Sequence, residues 1–212
     1  MSGLTVIQPD RSHKALVALT LAVFPSIIWR HHGIGVLQGY VLENTDPEMR
    51  LHIWDPELVK RGIVGNGDVH DHRFDMISHV LAGKVLHEEW IVCEDDEGEY
   101  ASTLLTHARA AADTKFHGPT TTTEDRFSAV QNMYAIEAGW LYKFRAKTFH
   151  RSPVGETSVT LVEKHNQRSE AARILHPRDL PFIPAFGHDE NPDVLCRVFD
   201  RAKEALGKAF HQ

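Results

Sequence analysis

The sequence predicts a mainly β protein: a barrel of short strands with one helix before it and one after it. Three observations carry this expectation. A His-x-His pair, His70 and His72, opens a segment of strand formers that runs to Ala82-Gly83, turns there, and continues over residues 84–92. Short alternating apolar stretches recur at 35–40, 50–54 and 157–163, the period of a half-buried pleat. Apolar residues at helical spacing mark both ends of the chain.

Taken in order, the first element is a helix. The apolar run 15–28 is interrupted by Pro25 and spans about 14 residues, short of the roughly 20 that cross a bilayer. It also starts late and lacks a small-residue cleavage site, so it does not read as a signal peptide. Arg11-Ser12-His13-Lys14 reads as the helix start with Ser12 as its cap, and the run as a buried helix ending near Pro25. Strands at 35–40 and 50–54, joined by a turn at Asn44-Thr45-Asp46-Pro47, begin the barrel. The pieces either side of Gly83 read as a hairpin, and Glu94-Asp95-Asp96-Glu97-Gly98-Glu99 as a solvated hairpin tip. The mixed stretch 104–131 has no clear period and reads as a loop over the barrel mouth, a candidate lid. Residues 142–150 have no helical period either, which puts His150 at the start of another strand. Val194, Val198, Ala202, Leu206 and Phe210, at four-residue steps, form the apolar stripe of a C-terminal helix.

With 212 residues, 42% hydrophobic and 25% charged, the chain is long enough for one domain with a full core. The expected organisation is a single domain over 1–212, with a barrel core at about 35–165 and helical additions at about 12–31 and 193–210. A net charge of −6 gives no basic face for nucleic acid. Cys93 and Cys196 lie far apart with no C-x-x-C pairing, which suits a reducing compartment and a cytoplasmic location. The expected partner is a small molecule, with neither nucleic acid nor membrane, and two terminal helices make a homodimer reasonable.

The candidate chemistry lies on histidines. On a pleated strand His70 and His72 point to the same side, and the same parity turns Phe74, Met76 and Ser78 inward and Asp71, Arg73, Asp75 and His79 outward. Counting back from His150 turns Tyr142, Phe144, Ala146 and Thr148 inward, absent a bulge. Three imidazoles suit iron, copper, nickel or zinc, and softness does not choose among them. Tyr142 can donate a hydrogen bond near such a site, and Arg50, Arg61 and Arg145 are the guanidinium groups to consider for an anionic substrate. His52, alternating with Leu51 and Ile53, and His87, before Glu88-Glu89, could supply acid–base groups, although ordinary structural roles are the commoner case.

At these residues the chain resembles the cupin superfamily, small β-barrels with motifs G-x5-H-x-H-x3,4-E-x6-G and G-x5-P-x-G-x2-H-x3-N. The first pattern fits from His70 through His72 and Met76 to Gly83, and the second from Gly139 to His150; the resemblance covers about residues 50–165. It departs where Gly65 or Gly67 stands for the leading glycine with the spacing off, where Met76 replaces the glutamate, and where Arg145, Lys147 and Val154 replace the proline, glycine and asparagine. Without the glutamate the ligand set becomes His70, His72 and His150, which resembles the three-histidine iron sites of cysteine dioxygenase and related thiol dioxygenases. Of that family's serine-histidine-tyrosine trio only the histidine is kept, as His165.

The resemblance implies a cupin-like double-stranded β-helix, a jelly-roll barrel with flanking N- and C-terminal helices, holding Fe(II) or another divalent metal. It implies an oxidoreductase, a non-heme iron dioxygenase oxidising a small anionic or thiol-bearing substrate with dioxygen. Tyr142, Arg145 and His165 are its candidate catalytic residues; Arg50, Arg61, Phe74 and Met76 are its candidate substrate contacts. The H-x-D of 2-oxoglutarate oxygenases is absent. Two other functions fit the same residues: a cupin isomerase, lyase or decarboxylase using its metal as a Lewis acid, and a non-catalytic cupin that binds a small ligand. A shared fold does not choose among them.

Overall fold

A computed structural model describes residues 3–7, 12–58, 69–106, 120–167, 171–180 and 190–212. The first half of the chain supplies β1 (Thr5–Ile7), α1 (His13–Val23), a 3-10 turn at Phe24–Ser26, β2 (Trp29–His32), β3 (Val36–Leu42), β4 (Glu48–Trp54), β5 (Val69–His70), β6 (Asp75–Ala82), β7 (Lys84–Glu94) and β8 (Tyr100–Thr106). The second supplies β9 (Thr120–Thr122), β10 (Phe127–Glu137), β11 (Leu141–Phe144), β12 (Phe149–Arg151), β13 (Ser158–His165), β14 (Ala171–Pro177) and α2 (Pro192–His211).

The strands form two antiparallel sheets, ordered β1-β11-β6-β13-β4-β3-β2 and β10-β7-β12-β5-β14-β8-β9. The protein is mainly β, a cupin-like sandwich with a helix toward each end of the chain. Residue parity assigns the faces of the first sheet. Leu37, Leu51, Ile53, Leu81, Val159 and Leu161 point outward and are buried with Val17 of α1 and Val198, Ala202 and Leu206 of α2. Met76, Val80, Tyr142, Phe144 and Val162 point inward, where Val85 of β7 and Ile136 of β10 meet them from the second sheet. The second sheet buries Val69, Trp90, Phe127, Phe149 and Leu175 on its other face.

Gly83 stands where the chain passes between the sheets. The segments on either side do not form the expected hairpin: β6 pairs with β11 and β13, whereas β7 pairs with β10 and β12. The turn is therefore a corner between layers. Gly83 adopts φ +71°, and a Cβ there would lie 2.4 Å from the Thr157 carbonyl oxygen, so both backbone conformation and space require glycine.

Other expectations are corrected in the same way. The acidic turn after Glu94 is solvent-exposed but joins β7 to β8, which are not neighbours; Glu94 and Tyr100 both face Phe127 of β10. The candidate lid at 104–131 is not one loop. Its residues 104–106, 120–122 and 127–131 belong to strands of the second sheet, and 107–119 lie outside the described residues. Helix α1 buries only Val17 and Thr20, with Leu19 58% exposed, because it lies over the sheet rather than within the core. Ser12 occupies its N-cap position in helical conformation and makes no capping bond. On α2, Ala209 is buried and Phe210 is 40% exposed. A four-residue step overshoots a 3.6-residue turn by about 40°, and over several turns the stripe drifts off the sequence pattern.

Candidate metal centre

The three histidines come from two neighbouring strands in the middle of the second sheet, β5 and β12, and from the segment that follows β5. β5 ends at His70, and His72 follows in irregular backbone, so the pair is not two rungs of one strand as the pleat argument supposed. Nor does a single strand lead to His150: the chain leaves the first sheet after Phe144 and enters the second at Phe149, through a turn with Lys147 at φ +68°. His150 of β12 then lies directly opposite His70 of β5. The outcome is convergence all the same, with one nitrogen from each of His70, His72 and His150 lying within 4.8 Å of the others.

Hydrogen bonding and burial prepare these rings as ligands. His150 Nδ1–H donates to the Thr148 carbonyl at 3.1 Å, which leaves Nε2 with its lone pair. Burial, then the neighbouring histidines, hold His72 and His150 well below the ordinary imidazole range, so both are neutral at physiological pH. Phe74 stacks on His72 at 4.9 Å between centroids, with 16° between planes.

A cavity of about 50 Å³ opens onto the triad, and besides the histidines it is lined by Ile34, His52, Trp54, Met76, Tyr142, Arg151, Ser152 and Val162. Most of this wall is apolar. Burial pushes the Tyr142 phenol up to about 12, so it remains a hydrogen-bond donor at any ordinary pH. Burial pulls His52 down to about 3, so that ring is neutral, and its Nε2 is buried without a hydrogen-bond partner among the described residues. Arg151 lines the cavity while its Nε and Nη2 donate to Glu88 at 2.5 and 3.1 Å.

Of the residues singled out in the sequence, the triad, His52, Met76 and Tyr142 meet at the cavity. Phe74 backs His72 without lining it. Arg50 is held by Glu48 at 2.7 Å and Gln38 at 3.2 Å, with its guanidinium over the Tyr40 ring. Arg145 is exposed in the turn after β11. His165 donates to Glu163 on the opposite face of β13 from Val162. Arg61 lies outside the described residues. Ile34, Trp54, Arg151, Ser152 and Val162 carried no motif; only the strand parity of β4 and β13 could have found Trp54 and Val162.

Three imidazoles in a largely apolar, buried setting fit a divalent transition metal by donor chemistry. The lone pairs of His72 and His150 are available at neutral pH, and no carboxylate belongs to the group.

No family model matches the sequence, and no curated protein matches it. Solved structures resembling it include HEPD from Streptomyces albus with 2-hydroxyethylphosphonate and Fe(II) bound, at 8% identity and TM-score 0.36 over 83% of this chain and 26% of that one. Others are vicilin from Corylus avellana, at 12% identity and TM-score 0.28 over 81% and 43%, and the coconut allergen cocosin, at 9% identity and TM-score 0.27 over 99% and 46%. The chain spans less than half the length of each. The class of protein defined here therefore rests on strand order and on the three-histidine cluster: a cupin-fold protein with a candidate metal centre.

Proposed function

We propose that this protein is a mononuclear iron(II) oxygenase acting on a small molecule, with His70, His72 and His150 holding the metal. The observation that carries the reading is the convergence of three imidazole nitrogens within 4.8 Å at the wall of a cavity. Iron(II), when bound, would supply Lewis acidity and one-electron chemistry toward dioxygen. Neutral ligands would leave the ion its full charge, which favours a thiolate, enolate or carboxylate on the substrate.

The chain's own residues supply the rest. Ile34, Trp54, Met76 and Val162 exclude water from the reacting end of the substrate. Tyr142 keeps its proton and offers a hydrogen bond from one wall, and His52 offers a neutral imidazole from another. The Thr148 carbonyl fixes the tautomer of His150. The cavity is small, which points to a substrate of few atoms or to one that reaches in with one end.

The test is elemental analysis of protein purified without added metal, together with anaerobic iron(II) titration and oxygen uptake with small thiols and acids. The expected result is about one iron per chain, lost in His150→Ala, and substrate-dependent oxygen consumption. One metal per chain without oxygen uptake would favour Lewis-acid chemistry instead. No metal after titration would remove both enzyme readings.

A further inference from the structure

Behind the triad, on the outer face of the second sheet, lies a group of charged residues that ligation does not use. Asp71 stands between His70 and His72 and is fully buried. Its Oδ1 accepts the Arg173 backbone N–H at 2.7 Å and its Oδ2 accepts Arg173 Nε–H at 2.7 Å, while its own N–H donates to the Arg173 carbonyl at 2.9 Å. Arg173 precedes Leu175 by two residues on β14 and shares its outward face. There its guanidinium covers the Phe149 ring at 4.5 Å, and Phe149 is the chain neighbour of His150. One carboxylate and one guanidinium thus meet the chain beside all three histidines.

Lys147 ties in the turn that leads to His150. Its N–H donates to the His72 carbonyl at 3.0 Å, and its ammonium donates to the Ala171 carbonyl of β14 and lies 4.0 Å from Asp71 Oδ1. It makes these contacts at φ +68°, a left-handed conformation that glycine adopts freely and other L residues only at a cost. The cupin pattern has glycine at this position, and the lysine departs from it. A residue held in a costly backbone conformation persists where its surroundings demand it, and here the demand is for an ammonium facing the buried Asp71 carboxylate.

We infer that Asp71, Arg173 and Lys147 are the positioning residues of the metal centre, a clamp on the outer face that holds the three ligand-bearing segments together on the inner one. Their contacts join the segment after β5, strand β14 and the turn before β12, so the imidazoles are already gathered before an ion arrives. Less order then has to be imposed on binding, and affinity for the metal rises. The ligand role of the triad rests on the proposed function above; the contacts of the clamp do not.

The experiment titrates the metal-free full-length protein anaerobically with iron(II) and, separately, with cobalt(II), whose visible spectrum reports ligand geometry. Hydrogen exchange at the amides of Asp71, Lys147 and Arg173 reads the clamp without any metal. Protected amides are expected in wild-type protein, and affinity falls about tenfold or more, with an altered cobalt(II) spectrum, in Asp71→Asn and in Lys147→Gly. Lys147→Gly should leave the metal-free melting temperature little changed, because glycine suits the turn. The control is Arg201→Gln, which breaks the comparably buried Asp55 pair on α2; it should lower the melting temperature and leave metal affinity as it was. Equal affinity in wild type and both clamp variants, or amides that exchange freely in wild type, would overturn the positioning role and leave the oxygenase standing. Wild-type protein that takes up no metal would overturn the oxygenase, and the positioning role with it. If Asp71→Asn does not fold, Lys147→Gly decides the matter.

Discussion

The ring of His87 lies nearly parallel to that of His150, with 5.3 Å between centroids and 16° between planes, and neither of its nitrogens has a hydrogen-bond partner among the described residues. It is fully buried, and burial holds it near 3, so it is neutral. A buried imidazole without partners costs about 1–3 kcal/mol for its unmade hydrogen bonds. Replacement by a ring of similar shape should therefore cost the fold little. For His87→Phe in metal-free protein the expected denaturant midpoint equals or exceeds that of the parent; a fall of about 2 kcal/mol or more would mean that the imidazole is hydrogen-bonded in solution.

The triad makes a prediction with the opposite sign in two conditions. Metal-free, the neutral ring of His72 is buried among other histidines, and His72→Leu is expected to be neutral or mildly stabilising. Saturated with a metal ion, the parent gains the linkage energy, about 2.7 kcal/mol at a hundredfold excess over the dissociation constant, and the variant gains much less. Thermal melts with and without added iron(II) under anaerobic conditions check this. Equal metal-induced shifts in parent and variant would place the ion elsewhere.

How much of this was legible depended on whether a signal was local. His70, His72 and His150 were readable because motif spacing survives even where the backbone departs from the regular strand assumed for it. Met76 and Tyr142 do face inward, but the parity counts that placed them ran from His72 and His150 across irregular backbone, so the pleat did not carry that agreement. The partners of β6 and β7 were not readable, because a hairpin and a corner between sheets both look like two strands around a glycine. Strand β10 was missed for a different reason: its central residues 130–133 are exposed on both faces, so no apolar alternation marks it. Glu48 and Arg50 of β4 meet Lys164 of β13 although the two strands are far apart in sequence, and only the assembled sheet brings them together.

Acid stability should depend on Asp55. Burial alone would raise the pKa of this carboxyl, but hydrogen bonds from Arg201, Thr157 and the Glu57 N–H outweigh it, and the folded value lies below the ordinary one. With the folded pKa depressed, the unfolded chain binds more protons, so stability rises with pH across that window. The contribution is fully present above the unfolded value, near 4, and is lost as pH falls through the folded one. Asp55→Asn, which leaves Arg201 without one carboxylate, is expected to lower stability at pH 7 by about 2 kcal/mol and to flatten the acid limb below pH 5. Urea denaturation between pH 3 and 7 measures both; parallel curves for parent and variant would contradict the assignment.

The corner at Gly83 makes the strictest structural prediction. An alanine there must hold φ near +71° and place its methyl 2.4 Å from the Thr157 carbonyl oxygen and 3.0 Å from Ser158 Cα. All of these obstacles are backbone, so no side-chain rotation relieves them, and the strands that must move carry Ala82 opposite Val159. Left-handed strain alone costs about 1–2 kcal/mol for an L residue, and the clash adds to it. Gly83→Ala is expected to lose about 3 kcal/mol or more, whereas Gly207→Ala on α2, whose added methyl meets nothing within 4 Å, should gain up to about 1 kcal/mol from helix propensity. Melting temperatures of the two variants should therefore move in opposite directions, and a neutral Gly83→Ala would show that the turn between the sheets can adopt another path.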